Sequence, residues 1–218
     1  IPVIGRAGDV MGVVENNDRV VLDGDNAEVH IRPSEEALQS FADTLNQRQQ
    51  RIAAYSSLLD VPAETKDGLR MSLNINAGLF VDVQNMLDTG ADGIGLYRTE
   101  IPFMESSDFP DVDRQAELYK RIIDQSAGKP VIFRTLDVGG DKGLPYWKMD
   151  EGENPAMGWR AVRVALDRPV LLRHQFRALI RAADGRDLKI MFPMITEVAE
   201  FDALSNILMR EMKTAEKR

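Results

Sequence analysis

The chain has 218 residues, 44% of them hydrophobic, which suits one large domain or a small one joined to part of another and rules out a disordered segment. A formal net charge of −8 speaks against a nucleic-acid partner, which would need a concentrated basic face, and the lack of cysteine excludes disulfides, thiolate nucleophiles and cysteine-type zinc sites. No run approaches the roughly 18 apolar residues of a membrane span, so a soluble protein is the expectation.

Residues 1–33 alternate short β-type runs with turn residues, "IPVIGRAGD" and then "GVVENNDRVVLDGDNAEVHIRP", and are expected to form a small sheet with turns at Asn16-Asn17-Asp18 and Asp23-Gly24-Asp25-Asn26. Ser34 is placed to cap a helix whose first turn carries Glu35 and Glu36 against the positive end of the dipole. Leu38, Phe41, Leu45, Ile52, Tyr55 and Leu59 follow at a three-then-four spacing interrupted by Arg48, and Pro62 is the expected stop. From residue 70 strands alternate with helices. "RMSLNIN", "DGIGLY", "PVIFRT" and "LKIMFPM" read as strands; "LFVDVQNML", "DRQAELYKRIIDQS", a segment with Leu172, Phe176, Leu179 and Ala183, and a last stretch from about Thr196 read as helices. The chain opens without Met in a strand-like run and closes inside a helical pattern, which reads as a piece of a longer protein.

About four βα units fit either half of an eight-unit barrel or a doubly wound open sheet. In such barrels the chemistry sits on loops after the C-terminal ends of the strands. Two arginines stand there: Arg98 after "GIGLY" and Arg134 after "VIF", each followed by a threonine. Taken singly, they could pair with Glu100, Asp137 or Asp141 as loop-holding ion pairs. Repeated, they point to a shared anion, because two guanidinium groups aimed at one cleft repel each other unless an anion lies between them. "DVGGDKG" adds Lys142 and adjacent glycines where backbone could approach a ligand, without the spacing of a Walker A loop. Arg160 and Arg163 follow an Asn154-Pro155 turn and are read equally as ligand contacts or as a solvated helix start. Arg173, Arg177 and Arg181 recur every four residues and read as a solvated helix face. Neither His30 nor His174 has a partner that the sequence suggests, and no acidic cluster has metal-binding spacing.

In this order, "GADGIGLYRTEIPFM", "VIFRTLDVGGDK", "NPAMGWRAVR" and "IMFPMI" closely resemble the phosphoenolpyruvate-protein phosphotransferases, the Enzyme I family of the bacterial phosphotransferase system. The resemblance covers essentially the whole chain. It implies an α/β fold in which residues 1–33 are the C-terminal end of a swivelling phosphohistidine domain, 34–66 a linker helix, and 67–218 the N-terminal half of a phosphoenolpyruvate-binding TIM-type barrel. Matched motif to motif, Arg98 and Arg134 fall on the family arginines that bind the substrate phosphate, and Arg160 supports the same pocket. The resemblance further implies a cytoplasmic phosphotransferase that uses magnesium, takes phosphoenolpyruvate, phosphorylates its own histidine, passes the phosphoryl group to a phosphocarrier protein, and works as a homodimer. The family's acceptor histidine lies upstream of this chain, and its magnesium-binding Glu and Asp and active-site Cys lie beyond Arg218. The chain is therefore expected to carry one wall of the pocket, no catalytic residue, no metal ligand and no activity of its own. Two competitors stand beside this reading: pyruvate phosphate dikinase or phosphoenolpyruvate synthase, whose wording is less like "FRTLDVGGDK", and a non-catalytic barrel used for dimerisation or regulation.

Overall fold

The computed structural model describes residues 3–140, 142–147 and 158–217. Contacts part the chain into two compact units between Val61 and Pro62.

In the first unit a short helix, α1 (Val10–Val13), precedes an antiparallel hairpin of β1 (Val20–Asp23) and β2 (Glu28–Ile31), with Val20 opposite Ile31 and Asp23 opposite Glu28. Asp23 closes the hairpin: its carboxylate accepts from the Asn26 side-chain amide at 2.8 Å and from the backbone N–H groups of Asp25 and Asn26. The Asn26 side chain is the main reason its carboxyl sits below the usual range. The β-type run expected before the hairpin is not a strand. Residues 3–9 are irregular and Val10–Val13 are helical, as suits a stretch whose glycines offer no cross-strand side chains. In α2 (Glu35–Ser56) the Ser34 hydroxyl accepts from the Ala37 N–H at 3.2 Å, with Glu35 and Glu36 in the first turn. The helix ends well before Pro62. Ser56 and Ser57 turn their hydroxyls back onto the carbonyls of Ile52 and Ala54, an alternative to further helix that serine favours.

The second unit runs β3 (Asn74–Ala77), α3 (Val81–Asp88), β4 (Gly93–Arg98), α4 (Ile101–Glu105), α5 (Val112–Gln125), β5 (Val131–Arg134), α6 (Val162–Asp167), α7 (Pro169–Ala183), β6 (Lys189–Met191) and α8 (Val198–Ala215). Its strands form one parallel sheet in the order β3-β4-β5-β6, so the fold is α/β with spatial order following chain order. Helix starts are chemically marked. Asp111 accepts from the Arg114 N–H at 2.8 Å ahead of α5, and Glu197 and Glu200 form a reciprocal capping box on α8.

One face of the sheet is covered by helices. Ile94, Tyr97, Val131 and Phe133 pack with Met86, Tyr119, Ile122, Leu179 and Ala182, and the Tyr119 and Phe133 rings meet edge to face at 5.4 Å. Burial pushes the Tyr97 phenol up to about 12. A second cluster joins Val162, Leu172 and Phe176 to Leu204. Side chains alternate faces along a strand, and an irregularity in β4 between Ile94 and Tyr97 lets both of these face the helices, so Leu96, Ile132 and Met191 point the other way, where they remain half-buried. Among the described residues no helix is long and apolar enough to cross a membrane.

Candidate anion-binding site

The register of β4 and β5 sets Arg98 directly beside Arg134 at the C-terminal ends of adjacent strands. The two strand ends are also tied by a side chain, since the buried Thr99 hydroxyl donates to the Arg134 carbonyl at 2.8 Å. From this common base the arginines diverge. Arg98 is exposed and, among the described residues, makes no ion pair or hydrogen bond through its guanidinium. Its stem passes over Gly78, where an added Cβ would lie 3.5 Å from Arg98 Nε. Arg134 is only 13% exposed and turns inward: Nη2 donates to Glu100 Oε1, and Nη1 lies 3.4 Å from Asp137 Oδ2.

Glu100 and Asp137 are shared further. Lys142 Nζ reaches Glu100 Oε1 and Asp137 Oδ2 at 3.1 Å each, and Arg160 closes onto Asp137 Oδ1 from Nε at 3.1 Å and Nη2 at 3.0 Å. Burial works to push the Asp137 carboxyl up, but the bonds from Lys142 and Arg160 outweigh it and hold the group below the ordinary carboxylate range.

The loop after β5 is folded so that Lys142 and Arg160 can arrive. Gly139 and Lys142 exchange backbone bonds at 3.0 and 3.1 Å, and the Ala161 N–H donates to the Val138 carbonyl at 2.9 Å. At Gly139, with φ of 110°, a Cβ would stand 2.6 Å from the Trp159 carbonyl oxygen and 2.8 Å from Arg160 Cα. This glycine therefore admits another stretch of backbone, where the sequence suggested room for a ligand. Asp141 and the Asn154-Pro155 turn lie outside the described residues.

Among the described residues, Arg134, Lys142 and Arg160 outnumber Glu100 and Asp137, and Arg98 beside them adds a further positive charge. Glu100 Oε2 and Arg134 Nε are buried without a hydrogen-bond partner among the described residues, an arrangement that costs free energy and calls for a reason. The net charge suits an anion. It does not suit magnesium: both carboxylates are bonded to cations, which would repel a divalent ion, and no group of three or more potential ligands occurs among the described residues.

The remaining candidates have structural partners. His30 contacts Glu28 at 3.1 Å and packs near the Phe41 ring, while His174 lies 6.4 Å from the Phe109 ring. The arginine row on α7 is more than a solvated face. Arg173 and Arg177 both grip Glu211 on α8, whose side chain is 2% exposed, and Arg181 pairs with Asp113 on α5. Burial works to raise the Glu211 carboxyl, yet the bonds from Arg177 and Arg173 leave it below its ordinary value. Sequence reasoning passed over Gln175, a fully buried amide on α7 whose Oε1 accepts from the Leu136 N–H at 2.9 Å and whose Nε2 donates to Thr99 Oγ1 at 2.9 Å and Tyr119 OH at 3.2 Å. The signal was present: Leu172, Gln175, Phe176 and Leu179 share one helix face, so a polar residue occupies a core position.

Comparison with known proteins adds the following. Residues 53–218 match the family description "PEP-utilising enzyme, PEP-binding domain". A phosphoenolpyruvate-protein phosphotransferase of Bacillus subtilis is 38% identical over 211 residues, covering 97% of this chain and 37% of that protein. Proteins of the same name from Geobacillus stearothermophilus and Latilactobacillus sakei are 41% and 39% identical, each with 36% of its length covered. The chain thus spans little more than a third of the length of the curated relatives it matches.

Proposed function

The chain belongs to the PEP-utilising enzymes, whose PEP-binding domain its residues 53–218 match, and from that premise we propose that it forms part of a phosphoenolpyruvate-protein phosphotransferase and supplies the arginine wall of the substrate pocket. The carrying observation is the side-by-side placement of Arg98 and Arg134 at two strand ends, with Arg98 exposed and carrying no counter-ion among the described residues. Arg98 meets the phosphate of phosphoenolpyruvate from the open side. Arg134 meets it from the inner side, already oriented by Glu100 and Asp137, and Arg160 supports the same pocket through Asp137.

In the complete protein the phosphoryl group leaves the enol oxygen of phosphoenolpyruvate for an imidazole nitrogen, and the departing enolate takes up a proton to become pyruvate. The phosphohistidine then passes the group to a phosphocarrier protein. Little covalent chemistry falls to the arginines. They position the group and offset its charge in a partly water-excluded site, where fixed cations act strongly. Magnesium, which the family reading brings to the reaction, finds its ligands outside this chain. Two observations support the further reading of residues 67–218 as half of a TIM-type barrel: strand order follows chain order without reversal, and one sheet face is left uncovered by helices of the second unit among the described residues.

Alanine variants in the complete phosphotransferase test the assignment. Arg98→Ala and Arg134→Ala should each slow phosphoryl transfer by a factor of about a hundred or more. Because the Arg98 guanidinium makes no ion pair or hydrogen bond among the described residues, its loss should shift folding stability by no more than about 0.5 kcal/mol, which separates a binding defect from a folding defect. Lysine should rescue poorly, since it lacks the planar fork. Near-normal turnover in both alanine variants would return the arginines to a structural role.

A further inference from the structure

We infer that Gln175 is the positioning residue that fixes the spacing of Arg98 and Arg134, an inference that rests on the phosphate-binding reading of those arginines. The amide lies on α7, far in sequence from both strands, yet it bonds to the residue that follows Arg98 and to the loop that follows Arg134. Its orientation is dictated by its partners. The Leu136 N–H can only donate, so Oε1 faces Leu136 and Nε2 faces the Thr99 and Tyr119 hydroxyls. Thr99 accepts from Gln175 and donates its own proton to the Arg134 carbonyl. One amide and one hydroxyl therefore close a loop of bonds running from Thr99 through Arg134 to Leu136 and back.

The geometry bears on ligand binding rather than on fold alone. Ladder pairs already join β4 to β5 at Ile94 and Val131 and again at Tyr97 and Phe133 and at Arg98 and Arg134. What the ladder does not fix is the backbone beyond it, where Thr99, Glu100, Leu136 and Asp137 leave the sheet and where Glu100 and Asp137 aim Arg134. Gln175 and Thr99 are 1% and 0% exposed, so water cannot replace a lost bond, and the strand ends would shift to satisfy the orphaned groups. Two arginines that must meet one phosphate tolerate little such shift.

Steady-state kinetics on the complete phosphotransferase with phosphoenolpyruvate provide the test. Gln175→Leu and Thr99→Val remove the polar groups with little change of volume. Each should raise KM for phosphoenolpyruvate between about tenfold and a hundredfold, with a smaller effect on kcat, and the double variant should be little worse than either single one because both break the same loop of bonds. Thr99→Ser, which keeps the hydroxyl, should stay near the parent value. Met86→Ala supplies the stability control: Met86 is fully buried and its carbonyl accepts from the Ala91 N–H, at the end of β4 opposite Arg98, so it should lower the melting temperature without raising KM. The inference fails if Gln175→Leu leaves KM within about twofold of the parent while Arg98→Ala and Arg134→Ala raise it, or if Met86→Ala raises KM as much as Gln175→Leu does. If the arginine variants themselves leave KM and kcat unchanged, the phosphate-binding reading falls first and the role of Gln175 falls with it.

Discussion

Asp137 faces three cations at once, with Arg134, Lys142 and Arg160 at 3.4, 3.1 and 3.0 Å. At such a position charge matters more than shape. Asparagine keeps the outline and some hydrogen bonding but takes the charge away from beside all three, leaving Glu100 as the carboxylate that Arg134 and Lys142 share among the described residues. Breaking buried pairs in this way costs on the order of 3 kcal/mol, so Asp137→Asn should be clearly destabilised at neutral pH. The effect has a definite pH signature. The folded-state pKa of Asp137 is lowered, below an unfolded value of about 4. Its contribution is therefore present above that value and is lost as the pH falls through the lowered folded value. In urea unfolding, the stability gap between parent and Asp137→Asn should narrow as the pH drops from about 7 toward about 2. A gap that stays constant over that range would mean that something other than the carboxylate charge holds this cluster together.

At the scale of elements, the segment after β5 does what a strand or helix does elsewhere: it delivers two cations to one carboxylate. That delivery depends on Gly139, whose positive φ and 2.6 Å clearance to the Trp159 carbonyl leave no room for a side chain. Gly139→Ala should cost roughly 1–3 kcal/mol from backbone conformation alone and more from pushing Arg160 off Asp137. Gly143, where an added Cβ would meet nothing within 4 Å and φ is not positive, should accept alanine within about 0.5 kcal/mol. Equal melting temperatures for the two alanine variants would remove the close approach as the reason for Gly139. Sequence pattern conveyed the local part of this architecture. The apolar runs before Arg98 and Arg134 are strands, and the Ser34 cap forms as its chemistry suggests. What it left hidden are pairings between distant positions. Nothing near Arg173 or Arg177 announces Glu211 on α8, and nothing near Gly139 announces the backbone of Trp159. Arg134 shows the same limit in one residue, because apolar run plus arginine fits a ligand contact and a buried ion pair equally, and the structure contains the ion pair.

At the scale of the whole molecule, the parallel sheet ends in two open edges, β3 and β6, with the backbone groups on their outer sides unpaired by any described strand. Parallel sheets are normally covered on both faces; here Leu96, Ile132 and Met191 stay half-buried on the face that no described helix of the second unit covers. Apolar residues are also exposed in the segment that leads into β3, where Leu69 and Leu73 are each 61% exposed. Open edges and an uncovered apolar face together favour pairing with another chain. The isolated chain should therefore self-associate on a sizing column and bind a dye that reports exposed apolar surface. Amide exchange should separate the strands in the same sense: slow in β4 and β5, which have neighbours on both sides, and fast in β3 and β6. Association alone could arise from any sticky surface, so the exchange pattern is the sharper measurement. A monodisperse monomer whose four strands exchange equally slowly would show that the second unit is complete without further strands, and the half-barrel proposal would have to be given up.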